Sequence, residues 1–250
     1  MDTVIMAINL GIKKSIGSTN CYLLKNNETD AYILVDTGYS IHGSIDLVKE
    51  LENLGCKPGN LNLVILTHGD FDHVLNSVDI RDKYQTLIAM HKDDSNMVET
   101  GNFMIKREFK SKLTPFYVLY LFLPIILEVI LHPQWISQIR SFKKFKPDIY
   151  IDEGFDLSSY GVNAKILHLP GHTPGSIGVL TSDGNLICGD TFINIRKPDT
   201  YPGGNNLREL YASVQRLKTM NIKKVYPAHG KPFDMDTFVK ILPRMWKYDG

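Results

Sequence analysis

Cysteine is scarce. Cys21, Cys56 and Cys188 are the three in 250 residues, far apart in the chain and without CxxC spacing. That set does not make a disulfide framework and fits a reducing compartment. An excess of charge of either sign is also missing, since 28 Lys and Arg against 27 Asp and Glu leave a net charge of +1. A dedicated nucleic-acid binder shows a basic excess or a basic stripe; neither is present, so no nucleic-acid partner is expected. The first 14 residues carry Asp2 and no basic residue ahead of their apolar part, which is not the pattern of a secretory leader, and a cytoplasmic location is expected. What remains is ordinary globular composition, 43% hydrophobic and 22% charged, in a chain long enough for one large domain or two small ones.

Apolar runs and turn residues alternate along the chain. Residues 4–8, 19–24, 31–35, 61–66 and 86–90 read as strands, and the spacing of Ile45, Leu47, Val48, Leu51 and Leu54 predicts an amphipathic helix over 44–54, ended by Gly55. The second half repeats the plan, with strands over 165–169, 177–181, 185–188 and 224–226, a hairpin turn at Asp183-Gly184, and helices over 207–220 and 233–245. Strands followed by helices, twice over, suggest two packed sheets with helices outside.

Residues with metal-binding chemistry cluster where these strands end. His68, Asp70, Asp72 and His73 lie within six positions after one strand. Imidazole and carboxylate together suit zinc, iron or manganese. A bland reading competes, in which Asp70 or Asp72 caps a helix and the histidines are merely adjacent. Three further loops weigh against it: His172 in Gly-His-Thr-Pro-Gly-Ser, Asp190 in Cys-Gly-Asp-Thr, and His229 in Pro-Ala-His-Gly. Each follows a predicted strand and is flanked by Gly or Pro that permit sharp turns.

With Asn20-Cys21-Tyr22-Leu23-Leu24 and Leu34-Val35-Asp36-Thr37-Gly38, these motifs occur in the order used by the metallo-β-lactamase superfamily, which the chain resembles over almost its whole length. The resemblance implies an α+β fold, a four-layer αββα sandwich of two pseudo-repeated halves, formed by residues 1–250 as a single domain. It implies two divalent metal ions, zinc first, with iron or manganese as alternatives. His68, His172 and Asp70 would hold one ion, Asp72, His73 and His229 the other, and Asp190 would bridge them. Asp36 would support the site by orienting ligands or water. One departure stands out: the family's usual motif is His-x-His-x-Asp-His, and Asp70 occupies the place of its second His. Either Asp70 ligates, giving three carboxylates that favour harder metals, or it is too short to reach. Di-iron members also carry a carboxylate there, although it is the longer Glu.

Two close cations would turn a bound water into a nucleophile near neutral pH, with Asp72 as the catalytic residue that orients it. No side-chain nucleophile is required, so Ser176 reads as a turn or cap residue. His42, His91, His132 and His168 read as packing or surface residues. Phe192, Arg196, Lys197 and Tyr201 either line the pocket or belong to a solvated loop, and Lys143, Lys144 and Lys146 form a solvated face.

The segment 101–147 reads as an apolar helical insertion. It contains 113–131, a run of 19 residues whose only charge is Glu128. A single membrane span there would put residues 68–73 and 172–229 on opposite sides, and Pro115 and Pro124 interrupt it, so no span is expected. A lid or pocket wall, a homodimer contact and a membrane-surface helix stay open. The expected activity is hydrolysis of a small ester-like bond in a small-molecule substrate, a thioester, lactone or similar. A di-iron redox protein is the alternative; a phosphodiesterase or nuclease, and a metal-free scaffold, rank lower.

Overall fold

The computed structural model describes residues 3–10, 18–39, 46–109, 130, 137 and 139–241. The first half runs β1 (Thr3–Leu10), β2 (Thr19–Asn26), β3 (Tyr32–Val35), α1 (Leu47–Asn53), β4 (Leu61–Ile65), α2 (Phe71–Val74), α3 (Ser77–Tyr84), β5 (Leu87–Met90), α4 (Lys92–Thr100), β6 (Glu108–Phe109) and β7 (Ile149–Tyr150). The second runs β8 (Ala164–His168), β9 (Ile177–Thr181), β10 (Asn185–Ile187), β11 (Phe192–Asn194), β12 (Asp199–Thr200), β13 (Gly203–Gly204), α5 (Leu207–Lys218), β14 (Lys224–Tyr226), β15 (His229–Gly230), β16 (Phe233–Asp234) and α6 (Met235–Ile241).

Two sheets carry the fold. The first has the order β1-β2-β3-β4-β5-β7, antiparallel through β3 and parallel beyond it. The second has the order β16-β14-β10-β9-β8, with β10 and β14 parallel. Side chains alternate across each strand, so a strand buried on both faces must be apolar throughout. In β2 to β4, Leu23, Leu34 and Val64 face one way and pack with Leu47 and Leu51 of α1, Ile80 and Tyr84 of α3 and Val98 of α4. Tyr22, Leu24, Ile33, Val35, Leu63 and Ile65 face the other way and meet Ile166, Ile177, Val179 and Ile187 of the second sheet. The far side of that sheet, with Leu167, Leu186 and Val225, is covered by Val214 and Leu217 of α5 and Phe238 of α6. Three apolar layers thus separate helices, sheet, sheet and helices, the expected αββα sandwich.

Most predicted strands occur within one or two residues of their expected ends. The 44–54 helix appears as α1, capped by the Asp46 carboxylate, which accepts from the Val48 and Lys49 amides. Gly55 follows with φ +94°, which a glycine reaches without strain. The closing helix differs. Phe233 does not begin it but lies in β16 opposite Val225, its ring against Phe192 and Phe238, and the helix starts at Met235. The rest of that prediction, 242–245, lies outside the described residues. So do His42, His132 and all of 113–131 except Ile130, on which the lid, dimer and surface-helix readings rest. Among the described residues, no helix is long and apolar enough to cross a membrane.

Candidate metal centre

Five strands of the two sheets, β3, β4, β8, β10 and β14, end at one edge of the sandwich, and the chain segments after them carry the candidate residues. Beyond β4 the chain turns through His68 and Gly69 into α2. Asp70 stands at the N-cap position of that helix in extended backbone (φ −68°, ψ 145°), but its side chain caps nothing. It points to the His172 ring, which removes the capping explanation for this carboxylate. Beyond β8, Gly171 has φ +131°, and a Cβ there would lie 2.1 Å from the backbone N of Leu210, so only glycine lets α5 approach this loop. Asp190 lies in the turn after β10, and His229 opens β15.

Each imidazole is held by its Nδ1. His73 Nδ1 donates to Asp36 Oδ2 at 2.8 Å, His172 Nδ1 to the Gly203 carbonyl at 3.1 Å, and His229 Nδ1 to the Ser18 carbonyl at 3.1 Å. His68 Nδ1 lies 3.0 Å from Thr67 Oγ1, which itself donates to Asp36. Asp36 therefore supports two histidines, directly and through Thr67, from a backbone in the left-handed region (φ +62°). That strain at a buried carboxylate is tolerated because Thr67 and His73 saturate it. With Nδ1 occupied as a donor, the lone pair of each ring sits on Nε2.

All four Nε2 atoms face one space. Asp70 Oδ2 lies 2.9 Å from His172 Nε2 and 3.4 Å from His68 Nε2. Asp72 Oδ2 lies 3.7 Å from His73 Nε2 and 3.5 Å from His229 Nε2, and accepts from Thr19 Oγ1 at 3.1 Å. Asp190 divides its oxygens between these groups. Oδ1 faces His73 and His229 at 3.7 and 3.4 Å, and Oδ2 faces His68 and His172 at 4.0 and 3.5 Å. The structure thus brings together all seven residues singled out in the sequence.

The chemistry of the set fits divalent cations. His68 Nε2, His73 Nε2 and Asp190 Oδ1 are buried without a hydrogen-bond partner. Three such atoms in one place are costly unless a cation takes their lone pairs. Burial lowers the proton affinity of His73, but Asp36, Asp72 and Asp190 reverse this and push its pKa up to about 10. His229 is likewise pushed up to about 9, against burial, by Asp190 and Asp72. Burial raises the Asp190 carboxyl, yet His229, His73 and His172 hold it far below the carboxylate range. The same contest at Asp70 is won by its hydrogen bonds to His172 and His68. The centre is a buried cluster of imidazoles and carboxylates whose charge suits a cation.

Two charged residues at this centre belong to no motif. Arg107 donates from Nη2 to Asp70 Oδ1 and from Nη1 to the His172 carbonyl at 2.7 Å. Asp94, fully buried in the first turn of α4, accepts from Gly69 N at 2.9 Å, Thr173 Oγ1 at 2.6 Å and Gly175 N at 2.7 Å. It ties the loop of His68 to the loop of His172. Tyr201 packs its ring on His172 at 4.5 Å and on His229 at 5.9 Å, and so walls the centre. Phe192 does not line it; the ring is buried against Phe233 and Phe238. Arg196 and Lys197 are exposed. Ser176 Oγ accepts from the Thr173 amide, a turn contact. His168 stacks on His91 at 4.3 Å and binds the Pro174 carbonyl, away from the four rings. His91, Asp152 and His168 also approach one another, but His91 Nδ1 accepts from the Asp93 amide. Its Nε2 then carries the proton facing Asp152, leaving no lone pair there.

The family model of the metallo-beta-lactamase superfamily matches residues 15–229. The chain belongs to this superfamily. It is 26% identical over 218 residues to an uncharacterized protein of Mycobacterium leprae, covering 84% of this chain and 86% of that protein. It is 30% identical over 161 residues to a hydroxyacylglutathione hydrolase of Haemophilus influenzae, covering 64% and 60%. Among solved structures it resembles the B3 metallo-beta-lactamase BLEG-1, with a TM-score of 0.67 at 19% identity over 98% of this chain and 100% of that one. A metallo-beta-lactamase family protein of Thermus thermophilus gives 0.66 at 19% identity, over 96% and 78%. At that identity the likeness shows the fold.

Proposed function

We propose that the chain is a two-metal hydrolase of small ester-like bonds, a thioester or a lactone. His68, Asp70 and His172 would hold one divalent ion and Asp72, His73 and His229 the other, with zinc the first choice. The observation that carries this reading is the division of Asp190, one oxygen toward each group of histidines. When bound, the two ions supply the acidity that makes water a nucleophile at neutral pH and the charge that polarises the attacked carbonyl. The protein's own part is orientation. Thr19 holds Asp72 so that its second oxygen is available to position the attacking water, and Asp36 keeps His68 and His73 in the tautomer that ligates. Tyr201 presents an aromatic wall for the substrate beside His172 and His229. The thioester arm of the proposal is supported by the hydroxyacylglutathione hydrolases among the relatives.

The test is elemental analysis of protein purified without added metal, followed by a panel of thioesters, lactones and phosphodiesters. About two equivalents of zinc or manganese, with turnover of a thioester or lactone, are expected. Inactivity across both classes with two metals bound would refute the substrate class, and failure to take up metal would refute the mechanism. The third carboxylate, Asp70, favours a second reading, a di-iron centre; a solved neighbour is described as di-iron-bound. Two equivalents of iron with an optical change on reduction would replace the hydrolytic reading by that one.

A further inference from the structure

Arg107 lies in a short segment between α4 and the apolar run, yet its guanidinium enters the metal centre. One nitrogen donates to Asp70 Oδ1; the other donates to the His172 carbonyl and stands 3.4 Å from His172 Nε2. The carboxylate at position 70 is thereby split. Oδ2 faces the Nε2 atoms of His68 and His172, and Oδ1 is committed to Arg107. The arginine is not a loose surface group, since both it and Asp70 are mostly buried.

Its placement is built. Glu108 and Phe109 pair as β6 with Gly204 and Gly203 of β13. The Gly203 carbonyl is the acceptor that orients the His172 ring. Asn205 Nδ2 donates to the Lys106 carbonyl at 3.2 Å, and Glu108 Oε2 accepts from the Leu207 amide at 3.2 Å. The same two-residue strand therefore fixes both His172 and the backbone beside Arg107.

We propose that Arg107 is a positioning residue that makes Asp70 a one-oxygen metal donor and cancels its charge, so that the Asp70–Arg107 pair stands electrically where a neutral imidazole could. The inference rests on the two-metal reading above. With three ionised carboxylates, a pair of divalent ions is left one positive charge poorer than with two. Arg107 returns that charge at the centre's edge. A positive group there by itself disfavours cations, so the weakening expected on its removal reads the lost hold on Asp70. Tighter zinc in its absence would refute the positioning role. The pairing is bidentate across two partners, which a lysine could not reproduce.

The experiment reads zinc affinity rather than turnover. Metal-stripped native protein and the variants Arg107→Ala, Arg107→Gln, Asp70→His and Asp70→His/Arg107→Ala are titrated with zinc against a competing chelator, and the bound equivalents are counted. Thermal melting of the metal-free proteins checks that each is folded. In Arg107→Ala and Arg107→Gln, one equivalent is expected to weaken by about 10- to 100-fold while the other is held. Asp70→His should also weaken one equivalent, because the guanidinium then faces a neutral ring. The double variant should recover to within about threefold of native, a coupling that independent structural damage does not produce. Retention of both equivalents in Arg107→Gln within about twofold, or simple addition of the two single losses in the double variant, would overturn the proposal. If the native chain itself takes fewer than two equivalents, the two-metal reading fails and this inference fails with it. If the native chain takes two and the arginine variants match it, only this inference falls.

Discussion

Replacing Asp94 removes a buried side chain that joins the His68 loop to the His172 loop. Its carboxylate takes three hydrogen bonds, from the Gly69 and Gly175 amides and the Thr173 hydroxyl, in full burial. It also sits in the first turn of α4, where the helix dipole favours negative charge. Hydrogen bonds to a charged group contribute about 1.5–3 kcal/mol each, and three that share one group add less than their sum, so Asp94→Ala should cost about 4–6 kcal/mol. Two amides are then left buried and unpaired. Asp94→Asn keeps the shape and one acceptor oxygen and should cost about half as much, roughly 2–3 kcal/mol. For a chain of this size, about 2–4 °C per kcal/mol translates the alanine variant into a loss of roughly 10–20 °C in Tm. The assay is thermal denaturation followed by circular dichroism on metal-stripped protein, because bound metal would mask the loss by mass action. Melting of both variants within about 2 °C of native would refute the view that this carboxylate holds the two loops together.

Two further outcomes follow from the geometry. In metal-stripped protein, His73 at about 10 and His229 at about 9 both lie above their ordinary value of 6.5. The stability they contribute is present in full below about 6.5 and is lost as pH rises through 9 and 10, so the melting temperature should fall between pH 7 and pH 10. A flat or rising profile over that range would contradict the assignment of these rings to the carboxylate cluster. Gly171→Ala should destabilise by about 3 kcal/mol or more, since its Cβ would meet the Leu210 backbone and its φ is unavailable to alanine without strain. Urea denaturation with an unchanged midpoint would show that α5 yields without cost.

Much of this centre is legible in the chain. Glycine and proline beside His68, His172, Asp190 and His229 mark strand ends, and apolar runs mark the strands before them. Short-range rules of backbone geometry act within such motifs, which is why they can be read. Other features are not local. α2 has four residues, too few for any helical period to show. Phe192 and Phe233 look like a pocket residue and a helix residue, but each is placed by the other's ring. Arg107 and Asp94 are single charged residues in undistinguished surroundings, and nothing in their neighbours' identity separates them from solvated ones.

By itself, then, the sequence determined which segments become strands, where they stop, and which seven side chains with metal-binding chemistry follow them. Contacts between distant parts of the chain turn one Asp190 oxygen to each group of histidines, place two of the rings on Asp36, and bring Arg107 and Asp94 against the loops they hold. The reason is physical. Strand and turn preferences depend on a few adjacent residues, whereas Arg107 meets Asp70 and His172 only because β6 pairs with β13, nearly a hundred residues along the chain.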